Sequence, residues 1–306
     1  MTQKEKHMQA FEKFALQIKD DPNVIVFLLY GSLVYGTVSE TSDIDLVILV
    51  RDGSIKPLSQ DWVEYTVEVD DIEIHIGMYE ISKFKRRFES LQAGNWTRSQ
   101  YSKGMIMYCK DDSFIDFFES IRIVGKDEAI RGFIRMLEYL CVGMTRARKW
   151  ITTLDDDLYA QNFIQSCSWP VSEMVVLLNS EHPDREARLR AMELNPKLMH
   201  EVFIKPTTTV MSKDDIWHAL RVLDNFLMEH VHIWSKPILD FFSDGEMKTL
   251  SECDRYFGFE MGCAISYLVQ KGFLYRVSKQ SRLFKNSKLT IEETAFMYIK
   301  EEHDNE

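Results

Sequence analysis

The stretch Tyr30–Val50, YGSLVYGTVSETSDIDLVILV, decides the fold of this chain. The apolar run that leads into it, Val24–Tyr30 (VIVFLLY), is long enough for a buried strand and too short for a helix. Asp43 and Asp45 open a second apolar run at its far end. Because residues i and i+2 of a strand point to the same face, we expect these two carboxylates to project side by side from a second strand.

Two adjacent carboxylates repel each other, and a divalent cation removes that repulsion. Magnesium takes oxygen ligands and usually shares its coordination shell with substrate phosphates. Between the two strands, Gly31 lets the backbone approach a phosphate closely, and the Ser32 hydroxyl can donate a hydrogen bond to it. This combination is typical of phosphoryl or nucleotidyl transfer. The alternative is that the stretch has no catalytic role and is a polar loop followed by a solvated edge strand.

The order strand, Gly-Ser, a gap, Asp-x-Asp, strand resembles the signature of the DNA polymerase beta-like nucleotidyltransferase superfamily. The run SETSDIDLVIL is similar to the antibiotic and other small-substrate members. The resemblance implies that Asp43 and Asp45 are catalytic metal ligands in a two-metal Mg²⁺ site, with Mn²⁺ as the alternative ion. It also implies that Gly31, Ser32 and Ser42 bind the nucleotide.

A third metal-binding carboxylate is expected from the same resemblance, on a strand beside the first two acids. Val63–Val69 and Ile72–Ile76 alternate in polarity around a short turn and predict a hairpin. Glu73 in its second strand is the expected third catalytic and metal-binding residue, and Asp71, two residues earlier, is the alternative. His75 shares their face and is expected to be a bystander or a group behind the ligands. The alternative is that Glu73 and His75 merely face solvent and have no role in a site.

Composition predicts an ordinary globular protein. The chain has 306 residues, 45% apolar and 28% charged, and its net charge is −11. No apolar run approaches the ~18 residues of a membrane span. The five cysteines are scattered and odd in number, which argues against a disulfide framework. We therefore expect a cytoplasmic protein without a membrane association, as a monomer or a homodimer.

The remaining chain is expected to be helical and then mixed. We predict an α+β fold with a nucleotidyltransferase domain at 1–124, whose mixed sheet is flanked by helices, a helical substrate or cleft-closing domain at 125–236 and a winged-helix-like module at 237–306. In related enzymes a helix of the second domain closes the substrate cleft, so Lys149 or Arg146 is a candidate contact to the triphosphate. The alternative is that each cation complements the C-terminus of its own helix.

The C-terminal stretch predicts a helix–turn–helix followed by a β-hairpin, and the pattern Thr290–Glu293 predicts the start of a final helix. The segment Lys271–Lys288 carries six cations and no acid, so the rest of the chain carries −17. The expected recognition helix, EMGCAISYLVQK, carries one cation and one acid, and so offers few of the side chains that read bases. Packing or dimerisation is therefore favoured over DNA binding. In that case three apolar residues should be largely buried: Phe273, Tyr275 and Phe284.

Two functions of different class follow from these patterns. The first is an enzyme that moves a nucleoside monophosphate, AMP from ATP, onto a hydroxyl of a small acceptor, and the acidic chain suits a cationic acceptor such as an aminoglycoside. The second is a nucleotide-sensing regulator whose C-terminal module binds DNA or a protein partner. The intact pair of Asp43 and Asp45 favours the enzyme, and the basic segment favours the regulator.

Overall fold

The computed structural model describes residues 1–55, 62–91, 95–282 and 284–299. Contacts divide the chain into two compact units. The first comprises Met1–Gly125 together with Ser180–Arg185, and the second comprises Lys126–Asn179 together with Glu186–Glu306. The short segment of residues 180–185 thus belongs to the first unit although helical segments of the second unit flank it in the sequence.

The first unit contains a five-stranded mixed sheet with the strand order β3-β4-β2-β1-β5. The pair β2–β4 is parallel, and the pairs β1–β2, β1–β5 and β3–β4 are antiparallel. The strands are β1 (Val24–Tyr30), β2 (Ile44–Val50), β3 (Trp62–Val69), β4 (Ile72–Glu80) and β5 (Met105–Cys109). The predicted mixed sheet is confirmed.

Helices cover both faces of this sheet: α1 (Gln3–Ile18), α2 (Ser32–Tyr35), α3 (Ile81–Ser90), α4 (Trp96–Ser102) and α5 (Ser113–Ser120). Phe11 and Phe14 of α1 pack on one face, against residues such as Phe27 and Ile48. The other face carries a second apolar cluster that includes Val47, Leu49, Phe84 and Phe118. Asp43, Asp45, Val47 and Leu49 follow one another at a spacing of two residues, so their side chains point to the same face. The two carboxylates therefore lie at the start of this second face.

The second unit is mainly helical: α6 (Lys126–Lys149), a π-helix (Trp150–Leu154), α7 (Asp157–Leu178), α8 (Ala187–Leu194), α9 (Pro196–Met199), a second π-helix (His200–Ile204), α10 (Lys205–Thr208), α11 (Lys213–Glu229), α12 (Val231–Trp234) and α13 (Lys236–Phe241). Leu140 of α6, Met174 of α7 and Leu223 of α11 are fully buried in one core. In the part of the chain that the structure describes, no helix is both long and apolar enough to cross a membrane.

The C-terminal module of this unit comprises β6 (Lys248–Thr249), α14 (Leu250–Phe257), α15 (Gly262–Gln270), β7 (Tyr275–Arg282) and β8 (Thr290–Met297). The expected final helix at Thr290 is wrong, because this segment is strand β8. Its sequence, TIEETAFM, contains β-branched and aromatic residues that favour a strand, and it pairs with β7 from Tyr275↔Met297 to Arg282↔Thr290. Long-range pairing therefore overrides a local capping pattern.

The expected recognition helix, α15, packs into the same core as α6. The Cys263 amide donates to a Glu138 carboxylate oxygen at 2.9 Å, and Lys271 Nζ lies 2.7 Å from Asp224 Oδ2. The hairpin that follows α15 is more exposed than the helix. Tyr275 is 46% exposed and Phe284 67% exposed, so the expectation that both are largely buried is wrong. The strand order β6-β8-β7 leaves β7 at the edge of its sheet, which accounts for the exposure of Tyr275.

Candidate active site

The two carboxylates lie where β2 begins, in the middle of the sheet. Asp45 is opposite His75 on the parallel neighbour β4 and opposite Tyr30 on the antiparallel neighbour β1. Directly paired residues project from the same face of a sheet. His75, Asp45 and Tyr30 therefore form a row across three strands, with Asp43 two residues before Asp45 on the same face.

One ligand atom each from Asp43, Asp45 and His75 lies within 4.8 Å of the other two. His75 Nδ1 is 2.8 Å from Asp43 Oδ2. Among the residues that the structure describes, this is the one such group of three potential metal ligands. Two carboxylate oxygens and an imidazole nitrogen are a suitable donor set for a divalent cation.

Burial, and after it the negative charge of Asp43, raise the pKa of Asp45 to about 6. The charges of His75 and Arg185 oppose this shift. Desolvation and a like charge both disfavour an ionised carboxylate. A bound cation would instead favour the ionised carboxylates. The electrostatics of the pair therefore suit the binding of a positive ion.

Gly31 and Ser32 form a cradle beside the carboxylates. Gly31 has φ +74°, and a Cβ on it would lie 2.1 Å from Asp45 Oδ2. Only glycine permits both the backbone conformation and this close approach. Ser32 Oγ is buried and has no hydrogen-bond partner among the residues that the structure describes. An unpaired buried hydroxyl costs about 1–3 kcal/mol, a cost that a bound ligand with acceptor oxygens would remove.

The remaining expected site residues lie at different distances from this group. The Glu73 side chain is 62% exposed and its Oε2 is 3.5 Å from His75 Nε2, so Glu73 stands behind His75. The Ser42 hydroxyl accepts from the Ser39 amide at 2.9 Å and braces the loop before β2. Lys149 is exposed at the end of α6 in the second unit. Its contact to a triphosphate, and that of Arg146, stay predictions.

Sequence reasoning missed His75 as a member of the group. The sequence did indicate that His75 shares a strand face with Glu73, because the two residues are two positions apart. What selects His75 is the register of β2 with β4, which sets it directly opposite Asp45. The pairing of two distant strands cannot be read from either strand alone.

A cavity of about 340 Å³ adjoins the group. Tyrosines and polar residues make up most of its wall, which consists of Tyr30, Asp45, Glu64, Tyr65, Thr66, His75, Ile76, Gly77, Tyr79 and Tyr101. Gly77 follows His75 on the same face of β4, and the missing side chain leaves room there. A larger cavity, about 800 Å³, lies in the second unit beside the π-helix that begins at His200. Its described residues contain no comparable group of three ligands, so we place the candidate site at the smaller cavity.

Residues 12–112 match the family model "Polymerase beta, Nucleotidyltransferase". This span includes the glycine-serine pair, both carboxylates and all five strands of the sheet. The first unit of the chain therefore contains a nucleotidyltransferase-family domain. The matched residues make up about a third of the chain.

The fold of the whole chain is similar to that of a nucleotidyltransferase-like protein from Exiguobacterium sibiricum 255-15, known from a crystal structure. The TM-score is 0.60 at 14% sequence identity, and the similarity covers 95% of this chain and 99% of that one. At this identity the comparison establishes a shared fold. No curated protein matches the chain in sequence.

Replacing Ser32 by Ala is expected to weaken nucleotide binding without loss of stability. The buried Oγ makes no hydrogen bond to any described residue, so its removal breaks none of these bonds and eliminates an unsatisfied group. We expect ATP affinity to fall by about tenfold, the equivalent of one hydrogen bond to a charged phosphate. Titration calorimetry and a thermal melt would measure both effects. Ser120→Ala is the control, since the exposed Ser120 hydroxyl at the end of α5 donates to the Phe117 carbonyl oxygen of its own helix. Equal ATP affinity in Ser32→Ala and the wild type would exclude this phosphate contact.

Proposed function

We propose that the protein is a nucleotidyltransferase that depends on a divalent cation. It transfers a nucleoside monophosphate from a nucleoside triphosphate, with ATP as the expected donor, to a hydroxyl of a small-molecule acceptor. The observation that carries the proposal is the group of Asp43, Asp45 and His75 beside the unpartnered Ser32 Oγ. A cation site and a phosphate cradle side by side, at the end of the central strands of a sheet, are the two parts that such a transfer needs.

Each part of the site has a separate task. Gly31 and Ser32 hold and orient the phosphates through the close backbone approach and the free hydroxyl. The Asp43 and Asp45 carboxylates hold the cation, which when bound neutralises phosphate charge and activates the acceptor hydroxyl. The acceptor occupies the cavity beside Asp45, within reach of the group that binds the phosphates.

The wall of the cavity supports a cationic, ring-bearing acceptor with several hydroxyls. Tyr79 and Tyr101 place their hydroxyls 3.3 Å apart, and the rings of Tyr30 and Tyr101 meet edge to face at 5.1 Å. Burial raises the pKa of Tyr30 and of Tyr101, so both phenols stay protonated and can donate hydrogen bonds at neutral pH. The carboxylate of Glu64 adds a negative charge. Aromatic rings attract cations. An aminoglycoside-like compound combines positive charge, rings and several hydroxyls.

A screen of hydroxylated acceptors with ATP labelled on the α-phosphate tests the proposal. We expect pyrophosphate release that depends on the acceptor and label that joins the acceptor. Cationic amino sugars are compared with uncharged sugars of the same size. Transfer of the γ-phosphate instead, with release of ADP, would show a kinase and contradict the proposal.

Replacing Gly77 by Ala is expected to impair acceptor binding more than ATP binding. A Cβ at Gly77 would lie 3.2 Å from Tyr79 Cε2, so it both fills the cavity floor and displaces a wall residue. One misfitting methylene in a pocket changes discrimination by about 10-fold or more, and we expect the KM for the acceptor to rise by that amount. Steady-state kinetics with each substrate varied would measure it. Gly125→Ala is the control, because a Cβ there meets no atom of the described chain within 4 Å. An unchanged acceptor KM in Gly77→Ala would place the acceptor elsewhere.

A further inference from the structure

The candidate cation site contains a nitrogen ligand where the family resemblance predicted a third carboxylate. We propose that His75 makes this site selective for a first-row transition-metal ion such as Mn²⁺ over Mg²⁺, and that Glu73 positions the imidazole. This inference rests on the proposed function only in that both use the same cation site. The binding of the metal itself can be measured without nucleotide or acceptor.

The geometry assigns the ligand role to His75 rather than to Glu73. His75 lies directly opposite Asp45 in the parallel β2–β4 pair, and its Nδ1 is turned toward Asp43 Oδ2 at 2.8 Å. The side chains of His75 and Asp43 are 45% and 39% exposed, so a hydrated cation can reach both. Glu73 is outside the group of three mutually close ligands.

The donor set determines which cation is preferred. Mg²⁺ strongly prefers oxygen ligands and an octahedral shell with several waters. Imidazole is a ligand for later first-row ions, and for a given nitrogen and oxygen site the affinity rises from Mn²⁺ toward Cu²⁺. Replacing a third carboxylate by a neutral imidazole also removes one negative charge, which weakens the binding of an ion held mainly by charge. Both effects act against Mg²⁺.

Glu73 has the place of a carboxylate that orients a metal-binding histidine. Its Oε2 lies 3.5 Å from His75 Nε2, the ring nitrogen that faces away from Asp43. Histidines that bind metals through one nitrogen usually donate the other N–H to a carboxylate, carbonyl or water. A carboxylate at this nitrogen favours the ring orientation that turns Nδ1 toward the cation site. Glu73 is therefore a positioning residue and does not contact the cation itself.

The test is a titration of the metal-free full-length protein with Mn²⁺, followed by electron paramagnetic resonance and repeated with Mg²⁺ as competitor. In the wild type we expect Mn²⁺ to be retained against excess Mg²⁺, and pulsed measurements to show coupling of Mn²⁺ to an imidazole nitrogen. In His75→Asp the nitrogen coupling should vanish and the preference for Mn²⁺ over Mg²⁺ should fall at least about tenfold. His232→Asp, the same change at an exposed histidine of α12, should leave both unchanged.

A second variant separates positioning from folding. Glu73→Gln is expected to weaken Mn²⁺ binding by about tenfold while the nitrogen coupling persists. Glu68→Gln is the matched control, because Glu68 lies opposite Glu73 on β3 and is also exposed. The absence of nitrogen coupling in the wild type, or an equal preference in wild type and His75→Asp, would overturn the inference. If Mn²⁺ binds as expected but no acceptor is modified, the proposed function fails and the metal assignment stands. If Mg²⁺-dependent transfer is found without nitrogen coupling, the metal assignment fails and the proposed function stands.

Discussion

Replacing Asp45 by Asn is expected to abolish nucleotidyl transfer while making the metal-free protein more stable. The change removes one of two carboxylate ligands, and with it the charge that attracts the cation. It also removes a carboxylate whose pKa is raised by burial and, after it, by repulsion from Asp43. Loss of activity with a gain in stability distinguishes a metal ligand from a residue that supports the fold.

The sign of the stability change follows from the raised pKa of Asp45, about 6 in the folded protein against 3.8 for an ordinary aspartate. Folding favours the neutral carboxyl, so its contribution to stability is fully present below pH 3.8 and is lost as the pH rises through about 6. At pH 8 the ionised group destabilises the fold by roughly 1–2 kcal/mol, after allowance for its partial exposure. Asp45→Asn should recover this energy at pH 8 and little of it near pH 4.

Thermal unfolding at both pH values, in the presence of a chelator, and turnover at neutral pH with added Mn²⁺ or Mg²⁺ would measure these effects. Asp20→Asn, at an exposed carboxylate just after α1, is the control and should change neither quantity. Wild-type turnover in a purified Asp45→Asn protein would contradict the assignment of the cation site.

Replacing Gly31 by Ala is expected to reduce turnover by about 100-fold or more, because a Cβ there would lie 2.1 Å from Asp45 Oδ2 and must push that carboxylate aside. Alanine is also strained at φ +74°. Gly36→Ala separates the two effects. Gly36 also has a positive φ, +75°, but its ψ of 19° is left-handed helical, whereas the ψ of −154° at Gly31 is a conformation that glycine alone adopts readily. A Cβ on Gly36 meets no atom of the described residues within 4 Å.

Gly36→Ala should therefore lose about 1–2 kcal/mol of stability from its left-handed backbone, and Gly31→Ala more, because L-residues scarcely populate the conformation of Gly31. Only Gly31→Ala should lose activity by two orders of magnitude. Denaturant unfolding and turnover of the two folded variants would make the comparison. Equal loss of activity in both would show that Gly31 matters for the loop and that its closeness to Asp45 is unimportant.

Local patterns were sufficient to predict the centre of the first unit. The apolar run Val24–Tyr30 is β1 with the same bounds, and the alternating segment at Ile72 is the start of β4. The spacing of Asp43 and Asp45 correctly predicted two carboxylates on one face. These features depend on the two-residue period of a strand and on glycine at the turn, both of which are visible in the sequence.

Long-range pairing determines what the sequence could not show. The register that sets His75 opposite Asp45 brings together residues that lie in separate segments. The same applies to the residues from 180 to 185, whose His182 Nε2 contacts the Ile121 carbonyl oxygen at 2.8 Å and whose Asp184 forms an ion pair with Lys103. These contacts attach a distant segment to the first unit, and no local periodicity signals them.

The most direct test of the account is a crystal structure of the protein soaked with Mn²⁺ and a non-hydrolysable ATP analogue, with the metal located by anomalous scattering. The account predicts a peak bound by Asp43 and Asp45, and a triphosphate whose oxygens accept a hydrogen bond from Ser32 Oγ. A triphosphate bound elsewhere in the chain, with no metal at the two carboxylates, would contradict it.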